Sequence, residues 1–141
     1  MLLLDVNILL YPFRADGPDH TAYRKWLEGA IATATALGLA DVVLSAFLRI
    51  ATHPRIFDPP TPIEPALQFV EALRAQPASV LIAPGPRHWM IFANLCRQTP
   101  ARGNVVPDAY LAALAIESGS EFVSTDRDYA RFAGLRWRPP F

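Results

Sequence analysis

Four aspartates carry what chemistry this sequence offers: Asp5 in MLLLDVNILLY, Asp108 in NVVPDAYLAALAIESG, and Asp126 with Asp128 in FVSTDRDYARF. Asp5 is flanked by LLL and ILLY, so it is expected to be at least partly buried, where an unpaired charge is costly. Carboxylates brought together push each other's pKa upward until one holds a proton, and a bound hard cation removes that cost. Oxygen ligands without Cys or His beside them suit Mg²⁺ or Mn²⁺, and His20, His53 and His88 lack zinc-motif spacing. Mg²⁺ keeps several waters and meets phosphate oxygens, which points to metal-assisted attack of water on a phosphodiester. Three of the acids also have a plainer explanation, and Asp5 does not. Asp108 at a helix start is a cap or a first-turn charge, and Asp126 and Asp128 are residue types that form turns.

The elements that must position these acids follow from local patterns. Leu2 to Leu4 has too few residues and no helical period, as in a buried strand, and leaves Asp5 at its carboxyl end. LGLA at 37–40, SVLIA at 79–83 and EFVST at 121–125 read as further strands. Helical spacing runs over 20–32, and a helix capped by Asp41 runs to about Thr52 before Pro54 ends it. In TPIEPALQFVEALRAQP, Thr61 as N-cap, Pro62 and Glu64 compose a capping box. Trp89, Phe92 and Leu95 mark the core face of the next helix. Pro107 and Asp108 open the last long one, which Gly119 closes, and DYARF makes a single helical turn. Strands separated by helices predict a parallel sheet in an α/β layer fold. Sites in such sheets form beyond the carboxyl ends of the strands, and Asp5, Asp108 and Asp126 fall on that edge.

The 141 residues suffice for one domain with a hydrophobic core, and no linker or repeat interrupts 1–141. Net charge is zero, so no global basic field announces nucleic acid; Lys25 is the only lysine, and arginine forks suit phosphates. Cys96 stands alone, which fits a reducing compartment, and no basic region precedes the first apolar residues, so a cytoplasmic location is expected. The apolar stretch 29–48 contains Asp41, which opposes membrane insertion by about 3 kcal/mol. Other phosphate chemistries fit poorly. A haloacid-dehalogenase-type phosphatase requires Asp where Asn7 stands, a receiver domain requires a late lysine, and there is no GxxxxGK loop.

LLLDVNILLYPFR, LSAFLRIATHPRIF, NVVPDAYLAALAIESG and FVSTDRDYARFAGLRW together resemble PIN-domain ribonucleases of the VapC toxin type, over nearly the whole chain. The resemblance implies a three-layer α/β/α domain with a central parallel sheet and an acidic pocket holding Mg²⁺ or Mn²⁺. It also implies endonucleolytic cleavage of RNA, often transfer or ribosomal RNA. The partners implied are a second copy of the chain and a small VapB-like antitoxin, through which operator DNA is engaged. Carried over by position, Asp5, Asp108 and Asp126 are metal ligands and catalytic residues, Asn7 supports them, and Asp128 is a further candidate ligand. One departure stands out. Many PIN domains carry a Glu on the helix after the second strand, and Phe47 is placed at that position. Asp41 starts the same helix one and a half turns away and faces elsewhere. A PIN domain lacking that acid has a second expected role, as a weakly active or inactive member of an antitoxin complex. Arg49, Arg55, Arg127 and Arg131 are either phosphate contacts or solvated charges, and the RNA path is not placed.

Overall fold

The structure, a computed structural model, describes every residue except Ala34. Leu2–Leu4 (β1) lies mid-sheet, where an all-apolar strand has a neighbour on each side to hydrogen-bond. Leu37–Ala40 (β2) pairs with it through Leu2↔Leu37, and Ser79–Ile82 (β3) lies beyond β2. On the other side Glu121–Val123 (β4) pairs through Leu3↔Phe122, and Trp137–Arg138 (β5) closes the edge. All pairings are parallel, in the order β3-β2-β1-β4-β5.

The topology dictates three layers. Parallel crossovers are almost always right-handed. From β1 to β2 the chain passes through Val6–Phe13 (α1) and His20–Ala32 (α2), and from β2 to β3 through Asp41–Ala51 (α3) and Ile63–Arg74 (α4). Both crossovers step the same way, so these four helices cover one face. The β3-to-β4 connection, through His88–Gln98 (α5) and Val105–Ser118 (α6), steps back across β1 and β2 and so covers the other face. The predicted α/β/α architecture with a central parallel sheet is therefore present. The stretch 29–48 is divided among the end of α2, β2 and α3; Ala34 within it lies outside the described residues. Among the described residues no helix is long and apolar enough to cross a membrane.

The core of the four-helix face is aromatic. Phe47 of α3 is fully buried and its ring centroid lies 5.2 Å from both Phe13 of α1 and Phe69 of α4. Gly119 ends α6 as expected: its φ of 67° is left-handed, and Ser120 N–H reaches back to the Ala115 carbonyl at 2.9 Å.

Two expected caps are absent. The Thr61 hydroxyl accepts a hydrogen bond from Arg14 Nη1 at 3.0 Å and does not cap α4, which starts at Ile63 with Pro62 as its N-cap. Arg14 competes successfully because its guanidinium is fixed on several sides: it also bonds Asp16 and the Pro59 carbonyl and lies over the Phe57 ring. Asp41 is the first residue of α3, and its carboxylate pairs with Arg74 Nη1 at 2.6 Å, leaving it only a helix-dipole role. β5 was not expected, since two residues after a turn carry no alternation to read.

Glu117 of α6 clamps the loop that leads into α5. Its carboxylate accepts from Gly85 N–H at 2.6 Å and Arg87 N–H at 2.8 Å, and a Cβ at position 85 would sit 2.8 Å from one of its oxygens. The Gly85 hydrogen bond, followed by that of Arg87, holds the Glu117 carboxyl below its ordinary value of 4.5. A depressed carboxyl contributes stability at pH values above its unfolded pKa and loses it as pH falls through the folded one. Glu117→Gln is therefore expected to destabilise the protein at pH 7, with the gap to wild type closing below about pH 4.5. Urea midpoints from pH 3 to pH 7 test this, and a gap independent of pH would contradict it.

Candidate active site

Strand order reverses direction at β1 and β4: from β1 the chain moves outward to β2 and β3, and from β4 outward to β5. The crevice beyond the carboxyl ends of two such strands is where open α/β sheets bind ligands. Asp5 follows β1 directly, and Ser124, Thr125 and Asp126 follow β4. Asp5 N–H bonds the Val123 carbonyl at 3.0 Å, which holds the two strand ends together.

Asp5 is 7% exposed and both its oxygens are engaged. Oδ1 accepts from Val6 N–H at 2.7 Å, capping α1, and Oδ2 accepts from the Ser124 hydroxyl at 2.6 Å. That hydroxyl in turn accepts from Asp126 N–H at 3.0 Å, so one buried serine ties the first acid to the backbone of the last. Burial nonetheless pushes the Asp5 carboxyl upward. Its two hydrogen bonds oppose the shift, and the charges of Asp108 and Asp126 add to it.

Asp108 projects from the first turn of α6 and is half-buried. Its Oδ1 accepts a hydrogen bond from the Tyr129 hydroxyl at 3.2 Å. Burial raises its pKa too, with Asp126 and Asp128 adding and Tyr129 and Arg131 opposing. Asp126 is exposed, and its Oδ1 accepts from Asp128 N–H at 2.8 Å, capping the 3₁₀ turn Arg127–Arg131. It thus serves as the turn-former expected of its type while its charge acts on Asp5 and Asp108. Asp128 lies on the exposed rim, paired with Arg131 at 3.1 Å. Asn7 donates from Nδ2 to Thr125 Oγ1 at 3.3 Å, bracing the residue before Asp126.

Sequence reasoning passed over two members of this cluster. Ser124 is fully buried with both hydrogen bonds of its hydroxyl inside the cluster, and Tyr129 is 3% exposed with its hydroxyl on Asp108. The signal for Ser124 was present in VSTD, a small hydroxyl just before an acid at a strand end. Burial, then the charges of Asp5 and Asp108, hold the Tyr129 phenol far above its ordinary pKa of 10.0.

The placing of position 47 is corrected. Phe47 shares the core face of α3 with Leu44 and Ala51 and does not face the acids. A cleft of about 320 Å³ beside Asp5 is lined from α3 by Val42, Val43 and Ala46. The helix therefore offers the crevice a methyl group at Ala46, and neither 46 nor 47 supplies a carboxylate. Trp89 is a second correction. It is 72% exposed, because His88 takes the buried place at the start of α5 and its Nε2 bonds the Tyr110 carbonyl at 3.1 Å. Phe92 does pack against the core, with Trp89 edge-on to it at 5.6 Å.

The donor set suits a hydrated hard cation. It is all oxygen, and the carboxyls that mutual repulsion and burial drive toward protonation are those a cation would relieve. Among the described residues no three His, Cys, Asp or Glu side chains converge on one ion-sized point. Mg²⁺ does not require that, since it is bound through one or two carboxylates and keeps waters in its remaining positions.

Comparison with known proteins places this geometry in a family. The PIN domain model matches residues 2–135. Ribonuclease VapC43 of Mycobacterium tuberculosis is 46% identical over 140 residues, covering 99% of this chain and 95% of that protein. Ribonuclease VapC25 of the same organism is 43% identical over 141 residues, covering 99% of each. Among solved structures, VapBC2 from Rickettsia felis bound to a promoter DNA fragment superposes with a TM-score of 0.71 at 17% identity, covering 98% of this chain and 97% of that one. FitAcB from Neisseria gonorrhoeae gives 0.68 at 17%, covering 99% and 98%. Matched along nearly its full length both by the domain model and by named relatives, the chain belongs to the PIN-domain family, in its VapC ribonuclease branch.

Proposed function

We propose that this chain is a divalent-metal-dependent endoribonuclease, a single PIN domain over 1–141 that acts in the cytoplasm as the toxin of a toxin–antitoxin pair. The observation that carries the proposal is the meeting of Asp5 and Asp126 at the reversal point of the sheet, with Asp108 in the same electrostatic field. Asp5, Asp108 and Asp126 would share Mg²⁺, in part through its retained waters, and Mn²⁺ would substitute; Asp128 would be a rim ligand once released from Arg131, and Asn7 steadies the turn that carries Asp126. When bound, the ion supplies an activated water and neutralises charge developing on the phosphate. The chain's own contribution is to hold Asp5 rigidly through Val6 and Ser124 and to keep its carboxylate away from bulk water.

The named ribonuclease relatives support RNA as substrate, with transfer or ribosomal RNA the class expected. Likeness in fold to a VapBC complex bound to promoter DNA supports a small VapB-like antitoxin, with operator DNA reached through it; two copies of this chain in the assembly are what the family resemblance implies. The test is cleavage of structured RNA by the purified chain with Mg²⁺, with chelator, and by Asp5→Ala. Cleavage confined to the first condition is expected, and equal cleavage in all three would refute the proposal.

A second reading, a weakly active domain serving mainly in the antitoxin complex, is favoured by Ala46, which brings no acid to the cleft beside Asp5. Calorimetry with Mn²⁺ separates the two. Binding that Asp108→Ala removes supports the nuclease, and no binding supports the second reading.

A further inference from the structure

Tyr129 is clamped inside the acidic edge. Its ring centroid lies 4.5 Å from that of Phe122 on β4 and 5.9 Å from that of Phe132, and the residue is 3% exposed. Phenylalanine would fill the same space, so packing does not account for the hydroxyl. That hydroxyl donates to Asp108 Oδ1 at 3.2 Å, and among the described residues Asp108 has no other side-chain hydrogen-bond partner. A half-buried carboxylate at a helix start has rotamers that turn it toward solvent. A donor on an immobilised ring selects the one that keeps it facing Asp5 and Asp126. Because only Oδ1 is engaged, Oδ2 stays free to meet a cation.

We propose that Tyr129 is a positioning residue that fixes the Asp108 carboxylate for divalent-cation binding, an inference that rests on the metal-dependent reading above. Outer-shell partners of this kind are worth about 10–100-fold in metal affinity. The experiment is calorimetric titration of the full chain with Mn²⁺, comparing wild type with Tyr129→Phe and with Glu71→Ala, an exposed acid of α4 outside the crevice, alongside urea midpoints of each protein in chelator. The expected result is a dissociation constant about tenfold or more weaker in Tyr129→Phe, little change in Glu71→Ala, and a metal-free midpoint for Tyr129→Phe close to wild type. Unchanged affinity in Tyr129→Phe would overturn the inference. So would weakened affinity accompanied by a matching fall in the metal-free midpoint, which would mark Tyr129 as a structural residue. Wild type that binds no Mn²⁺ would overturn the metal reading and Tyr129's role with it, whereas binding wild type beside an unaffected variant would overturn Tyr129's role alone.

Discussion

Asp5→Asn is expected to reduce RNA cleavage on the order of a thousandfold, the scale of losing several kcal/mol of charge stabilisation at a metal centre. The same change alters how metal-free stability depends on pH, and the sign can be derived. Burial raises the Asp5 carboxyl above its ordinary 3.8. Between that value and the raised one, the native state binds more protons than the unfolded chain, so stability falls as pH climbs through the window. Asp108 is raised in the same direction and acts alike. An amide at position 5 cannot ionise. Ser124 must turn its hydroxyl to accommodate the amide, but that cost is the same at every pH. Stability of Asp5→Asn relative to wild type should therefore rise as pH increases from about 4 toward 8 in chelator. Mn²⁺ should offset the fall in wild type and not in the variant. Urea midpoints across that range decide it: a difference that stays flat or shrinks with pH would mean that Asp5 is not under electrostatic strain.

Phe47→Ala is expected to cost about 3–5 kcal/mol, the usual loss for truncating a buried aromatic. Such a loss is a large part of the roughly 5–15 kcal/mol that holds a domain folded. Phe47 joins α1, α3 and α4 through Phe13 and Phe69, so the cavity opens where three helices meet and none can close it by shifting alone. Phe47→Leu keeps most of the apolar volume and should cost much less. Chemical denaturation measures both. A loss under about 1 kcal/mol for the alanine variant would return Phe47 to the edge of the site, where the sequence had placed it.

That misplacement shows where sequence reasoning reaches its limit. The short apolar run LLL and the acid after it were legible because nothing but a buried strand explains so abrupt a pattern. The motif order located Asp108 and Asp126 at the sheet edge for the same reason: a helix start and a strand end are local events. Rotation about a helix axis is not local. One residue turns a side chain by 100°, so distinguishing 46 from 47 requires knowing where the sheet lies. Trp89 failed in the same way, since His88 next to it took the interior place through a carbonyl of α6 that only the fold brings near. Thr61 failed because its partner, Arg14, is distant in sequence. Tyr129 could be counted as one residue in a helical turn, but that its hydroxyl meets Asp108 depends on how α6 approaches the end of β4.

The position of β1 has a bearing on the order in which this protein comes into being. Of the five strands it is the first to be made, and it can pair with β2 once Leu37–Ala40 has emerged from the ribosome, yet its other neighbour is β4. Until Val123 emerges, one side of β1 lacks its partner, and Asp5 has neither Ser124 nor Asp126 beside it. Synthesis of the chain and assembly of the acidic crevice are therefore separated in time. A nascent chain interrupted before Val123 carries Asp5 and Asp108 but has no crevice, so the cell that makes the protein does not meet the complete site until β4 and the turn after it have been made.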